Sequence, residues 1–233
     1  MTTTLITGAN KGLGAETARR LIEAGHTVYA GARDAHRGRE AAARLGARFV
    51  QLDVTDEDSV KAAAEFVRAD AGRLDVLVNN AGIVGAGKIG RVGDVTGADM
   101  MTTYDTNVFG VVRVTHAFLP LLEASDVPVV VNVGSGLGSL AVTTDPSRIE
   151  SQVTVLDYNS SKTALVMVTS QYAKAYPDMR FNAVDPGYTA TDLNGHQGTQ
   201  TVEEGAESIV RMATIGADGP TGGYFDHTGP AAW

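Results

Sequence analysis

The chain of 233 residues contains no cysteine. Disulfides, iron–sulfur clusters, thiolate zinc sites and a cysteine nucleophile are excluded together. Basic residues are outnumbered, 19 against 27 acids, for a net charge of −8. That balance argues against non-specific binding to nucleic acid or to an anionic membrane surface. No apolar run approaches the ~20 residues of a membrane span. The first strand already begins at Thr3, which leaves no room for a signal peptide, so the expected location is cytoplasmic. The five histidines, His26, His36, His116, His196 and His227, show no metal-ligand spacing. All five are read as non-catalytic, and no metal is expected. Linkers, charge blocks and low-complexity tracts are also missing, so residues 1–233 are expected to form one domain. A chain of this length buries roughly 70% of its unfolded surface and needs no covalent staples.

What is present is a regular alternation. Glycine is frequent, at 27 residues, and punctuates short aliphatic runs and helical stretches. Strands are expected at Thr3–Thr7, Thr27–Ala30, Arg48–Leu52, Leu74–Val78, Pro128–Val133, Arg180–Val184 and Gly223–Phe225. Helices are expected over about Gly12–Ala24, Arg37–Leu45, the segment after Thr55, Gly97–Leu122, Tyr158–Ala175 and Val202–Ala213. The strands are continuously apolar, as in sheets covered on both faces. Repeated strand–helix units imply an α/β fold, a doubly wound sheet of seven parallel strands. Three stretches carry no regular pattern: Gly85–Gly93, Gly136–Asp157 and Gly187–Gln200. Each follows a strand C-terminus, where such folds bind ligands. Their composition fixes only a modestly apolar substrate pocket.

The first strand–helix junction reads Thr7-Gly8-Ala9-Asn10-Lys11-Gly12-Leu13-Gly14. Glycines there allow a tight turn and close approach of a phosphate to backbone amides at a helix N-terminus. Dinucleotide folds that take NAD place an acid at the end of the second strand. Here that place holds Ala32, followed by Arg33, while Lys11 lies in the glycine loop. A missing acid and two cations favour a 2′-phosphate, hence NADP(H). Asp34 would be the acid only if the strand ran two residues further.

Tyr158 and Lys162 stand one helical turn apart on one face. A cation beside a phenol favours the phenolate and brings a general acid–base toward its working range. Ser135 follows the Val129–Val133 run and can hold a carbonyl oxygen, although Ser between two glycines is also ordinary turn chemistry. Asn107 is a polar residue inside an apolar helix, and a core amide with satisfied bonds fits equally well.

Together these residues resemble the short-chain dehydrogenase/reductase family from Thr4 to about Phe225, and most of all its NADPH-dependent carbonyl reductase branch. The resemblance implies a Rossmann-type domain in which Asn107, Ser135, Tyr158 and Lys162 form the catalytic set. It implies cofactor contacts from Gly8, Asn10, Lys11, Gly12, Leu13, Gly14 and Arg33. Asp53 and Val54 would meet the adenine, and Asn80, Ala81 and Gly82 would lie beside the ribose. Pro186 and Gly187 would lie against the nicotinamide, with Thr189 or Thr191 on the carboxamide or pyrophosphate. Tyr158 and Lys162 would touch the cofactor as well. The implied activity is reversible reduction of a small ketone or aldehyde to an alcohol.

Other readings are a sugar-nucleotide epimerase or dehydratase and a non-catalytic NADP-binding regulator. Against the first stand different glycine spacing and the missing C-terminal substrate domain. Against the second stands the complete Tyr158–Ser135 pair. The separation of Ser135 from Tyr158 exceeds that of many family members and falls short of its monomeric carbonyl reductases. Charged residues in that insertion, Asp145, Arg148, Glu150 and Asp157, are expected at the pairing surface and favour a monomer. Trp233 is read as terminal packing or as one wall of the substrate site.

Overall fold

The computed structural model describes residues 2–85 and 89–233. Its strands are β1 (Thr3–Thr7), β2 (Thr27–Ala32), β3 (Arg48–Gln51), β4 (Val76–Asn79), β5 (Val129–Val133), β6 (Arg180–Val184), β7 (Tyr224–Asp226) and β8 (Gly229–Pro230). Every residue of β1, β4 and β5 is buried. This is why those runs do not alternate apolar and polar residues. The sheet order is β3-β2-β1-β4-β5-β6-β7-β8. The first seven strands run parallel, as the sequence pattern implies. The eighth is an addition, antiparallel to β7 through Phe225 and Pro230. Two residues, a glycine and a proline, carry no strand signal.

The helices are α1 (Gly12–Glu23), α2 (Ala35–Leu45), α3 (Glu57–Ala71), α4 (Gly97–Tyr104), α5 (Gly110–Leu122), the short α6 (Leu140–Thr143), α7 (Leu156–Ala175) and α8 (Val202–Ala213). Their starts are written locally. Asp56 caps α3, and capping boxes open α4 and α8 from Thr96 and Thr201. One core lies on the face where Val60, Val114, Phe118 and Phe181 meet β1 and β5. The other lies on the opposite face, where Leu21 and Ile209 meet Ile6, Val131 and Val184. No helix among the described residues is long and apolar enough to cross a membrane.

Three departures from the sequence pattern matter for the site. The helix expected over Gly97–Leu122 is interrupted: a π turn, Asp105–Phe109, separates α4 from α5. The 136–157 segment is not irregular throughout, since it holds α6 and two 3-10 turns, Gly136–Gly138 and Ile149–Gln152. Asp157 is 3% exposed, inside α7, and accepts from Thr103 Oγ1 at 2.6 Å. It is therefore no part of a charged pairing surface. β1 and β4 are the neighbours at which the chain reverses its direction of growth, and doubly wound sheets bind ligands at that point.

Candidate functional site

The glycine loop leaves β1 and enters α1 above that switch point. Gly8 and Gly12 have φ of 65° and 54°, a region costly for other residues. A side chain at Gly14 would lie 2.5 Å from both Gly8 O and Asn80 Nδ2. The loop here packs closely on its own backbone and on the Asn80 side chain. Asn80 Nδ2 donates to Thr7 O at 2.8 Å and Gly8 O at 3.2 Å. Thr7 Oγ1 in turn accepts from the Asn80 and Ala81 amides, each at 3.0 Å. The end of β4 thus straps the loop in place. Lys11 precedes α1 in extended conformation and its side chain makes no cap. The first-turn amides and the positive end of α1 are left to face the cleft.

The cleft has a volume of about 620 Å³. Gly8, Asn10, Lys11, Gly12, Leu13, Gly14, Arg33, Asp53, Val54, Asn80, Ala81, Gly82, Tyr158, Lys162, Pro186 and Thr191 all line it. Gly187, Thr189, Asn107 and Ser135 do not. Gly187 has φ of 72°, and Thr189 is 5% exposed with its hydroxyl donating to Pro186 O at 3.1 Å. Of the two threonines, only Thr191 reaches the cleft.

At the far end, β2 stops at the buried Ala32, with Arg33 exposed beyond it. Among the described residues Arg33 makes no ion pair. Asp34 is turned away. It caps α2, accepting from Arg37 N and Arg37 Nε, each at 3.0 Å. The Arg37 backbone N–H, and then its side chain, hold the Asp34 carboxyl below its ordinary range. The strand does not run two residues further, so Asp34 is not a strand-end acid. Lys11 is not free: its Nζ lies 2.6 Å from Asp192 Oδ2, and His196 Nε2 lies 2.7 Å from Asp192 Oδ1. Asp192 and His196 also line the cleft, a role the sequence did not suggest. Asp53 Oδ1 accepts from the Thr55 amide and hydroxyl at 3.0 and 2.7 Å.

At the near end, α7 presents Tyr158 and Lys162, 8% and 5% exposed. Lys162 Nζ donates to Val133 O at 2.8 Å and lies 5.6 Å from the centre of the Tyr158 ring. A side chain at Gly138 would lie 2.7 Å from Lys162 Cβ, so the turn after Ser135 packs directly on α7. Ser135 lies beside the Tyr158 phenol, and its Oγ accepts from Leu137 N at 3.3 Å. Asn107 sits in the π turn at 1% exposure. Its Oδ1 accepts from Ile83 N and its Nδ2 donates to Ile83 O, both at 2.9 Å, with Ser161 Oγ at 3.0 Å. A carbon added at Gly82 would stand 3.4 Å from both Asn107 Oδ1 and Lys162 Nζ.

Burial governs the charges. It pushes the Tyr158 phenol up to about 12, with the neighbouring Ser135 side chain opposing. It pushes Lys162 down to about 8, with the Asp185 charge opposing. The expectation that Lys162 draws the phenol down is not met in the protein alone. Both groups are enclosed, and the ammonium is spent on the Val133 carbonyl. The site holds a neutral phenol, which is a proton donor, beside a serine hydroxyl and a lysine near its titration point. Trp233 stays half exposed outside the cleft; the preceding residue, Ala232, accepts from Ser139 Oγ at 2.8 Å. Residues 86–88, within the Gly85–Gly93 stretch, lie outside the described residues.

A model of the short chain dehydrogenase family matches residues 2–201. A (+)-neomenthol dehydrogenase of Capsicum annuum is 32% identical over 295 aligned positions, covering 95% of this chain and 94% of that protein. A salutaridine reductase of Papaver bracteatum is 32% identical over 289 positions, covering 95% and 93%. Among solved structures, the NADPH-bound carbonyl reductase from chicken fatty liver superposes with a TM-score of 0.87. It is 27% identical, with 100% of this chain and 99% of that chain covered.

Proposed function

Because the chain belongs to the short-chain dehydrogenase family, an oxidoreductase acting on carbonyl and alcohol groups, we propose that it reduces a ketone or aldehyde reversibly with NADPH. The whole of residues 1–233 serves as one catalytic domain in this reading. The observation that carries it is that Tyr158 and Lys162 line one end of a cleft whose other end is the glycine loop, with Ser135 beside Tyr158.

The residues present fit a phosphorylated dinucleotide. Gly14 admits no side chain, so the loop can close tightly over the start of α1, and the α1 amides have no capping side chain. At the ribose end Arg33 is unpaired among the described residues, and Asp34 is committed to α2. Gly8 to Gly14 would hold the phosphates, Arg33 and Lys11 the 2′-phosphate, and Asp53 the adenine. When bound, the nicotinamide supplies the hydride.

Ser135 donates a hydrogen bond to the substrate carbonyl oxygen and so holds it beside Tyr158. Tyr158 then gives its phenolic proton to that oxygen as the carbonyl carbon is reduced, and an alcohol results. In its ammonium form Lys162 would stabilise the phenolate and would hold the ribose hydroxyls of a bound cofactor. The proton returns through the gap over Gly82, where Asn107 Oδ1 and Lys162 Nζ face each other and a water would join them to solvent. Tyr158 regains one proton per turnover, so the chain ends each cycle unchanged.

The test is incubation of the protein with NADPH and a panel of ketones and aldehydes. Loss of the nicotinamide absorbance band matched by alcohol formation is the expected result. Tight NADPH binding with no turnover on any carbonyl would replace this reading with that of a cofactor-binding regulator.

A further inference from the structure

One partly buried acid, Asp185, has no part in the chemistry above. Along β6, Phe181 stacks on Tyr172 of α7 at 5.3 Å between ring centres, and Ala183 packs with Val166 of α7. Asp185 is the next residue with that parity, so its side chain emerges on the α7 face, the side of Tyr158 and Ser135. Its Oδ1 accepts from Gly187 N at 2.9 Å. Its other oxygen points at Gly136, immediately after Ser135. A carbon added at Gly136 would lie 2.9 Å from Asp185 Oδ2 and 3.6 Å from Glu150 Oε1. Two carboxylates from different elements, the end of β6 and the insertion, therefore converge beside the reacting hydroxyls.

Among the described residues no cation pairs with Asp185. Lys162 is bonded to Val133 O, and Arg148 is spent on Glu150 at 3.2 Å. A second feature points to a missing partner. Among the described residues the Tyr224 hydroxyl, on a residue 3% exposed, finds no hydrogen-bond partner, and the charged group acting on it most strongly is Asp185. The groups facing Asp185 are Tyr158 and Lys162 from α7, Tyr224 and Asp226 from β7, and Glu150 and Arg148 from the insertion. Burial and the acids Asp226 and Glu150 raise the Asp185 carboxyl above its ordinary range. A partly buried carboxylate without a cation beside it gains from a cation brought by the ligand.

We propose that Asp185, with Glu150 beside it, selects carbonyl substrates whose far end carries a protonated amine. The proposal rests on the reductase reading for the location of the carbonyl and adds the substrate class. The ammonium would donate to Asp185 Oδ2, and the carbonyl oxygen would lie toward Ser135 and Tyr158.

Two ketones of one shape test it. N-methyl-piperidone is a cation at neutral pH, and methyl-cyclohexanone is its neutral counterpart, each with the carbonyl opposite the methyl-bearing atom. Calorimetric titration of both into protein saturated with NADP+ measures binding without turnover. The wild type is expected to prefer the cation roughly ten- to a hundredfold, the range of one charge-assisted hydrogen bond. Asp185→Asn keeps an acceptor for Gly187 and should abolish the preference. Glu150→Gln, on the insertion, should lower it on its own, so the result does not hang on one variant's folding. Equal affinities in the wild type, no binding of the cation, or a preference that survives Asp185→Asn would overturn the proposal. A cation preference without alcohol formation from any ketone would sink the reductase reading alone.

Discussion

Lys162 is charged in a place that does not favour charge. Burial lowers its pKa from 10.5 to about 8, so in the unfolded chain it keeps its proton to higher pH. The ammonium therefore costs stability at all pH below about 8. That cost is relieved as pH rises from about 8 to 10.5, because there the unfolded state binds more protons. Tyr158 does not intervene below pH 10, where both states keep its proton. Lys162→Met should thus raise the melting temperature of the cofactor-free protein at pH 7, with an advantage that shrinks toward pH 10, while weakening NADPH binding. Thermal unfolding at several pH values checks the first claim and cofactor titration the second. Arg33 makes the opposite kind of contribution, since it is exposed and unpaired among the described residues. One forked charge-assisted contact to a 2′-phosphate contributes on the order of 1.5–3 kcal/mol. Arg33→Ala should weaken NADPH by about one to two decades and leave NADH nearly unchanged in parallel titrations. The glycine loop, Arg33 and the Tyr158–Lys162 pair were legible in the sequence because each is a local spacing with a local physical reason. Lys11 with Asp192, 181 positions apart, was not, and neither was Asp185 with Glu150. Such contacts depend on how distant loops close over the sheet.

Elements were read well where periodicity or caps mark them. β6 and α8 have the bounds that their apolar patterns imply. The π turn at Asp105–Phe109 was invisible for a physical reason: apolar residues keep helical spacing on both sides of it, and one wide turn leaves no signature of its own. Yet this turn places Asn107 against both backbone polar groups of Ile83 and against Ser161. Asn107→Ala would strip partners from two main-chain groups near the site. The cost should be about 2–6 kcal/mol, from a range of about 1–3 per orphaned group. Urea unfolding measures it. A loss under half a kcal/mol would mean that water replaces the amide and that the π turn holds without it.

The molecule as a whole gathers its cleft from many connections: the loop after β1, the ends of β2 and β4, the start of α7, and the 186–202 segment. A ligand that spans them binds only the folded state. NADPH at a hundred times its dissociation constant should stabilise the protein by about 2.7 kcal/mol. For a chain of this size that corresponds to a rise of roughly 5–10 °C in melting temperature. A smaller rise with NADH at the same concentration would follow from the Arg33 argument. None of this separates a binder from an enzyme. The direct measurement is the steady-state rate of ketone reduction by NADPH for the wild type and Tyr158→Phe, side by side. The phenylalanine variant loses one oxygen from a buried ring, so fold and NADPH affinity should persist while kcat falls by roughly 10²–10⁴. A variant that reduces the same ketone within a few-fold of the wild-type rate would contradict the assignment of Tyr158 as the proton donor.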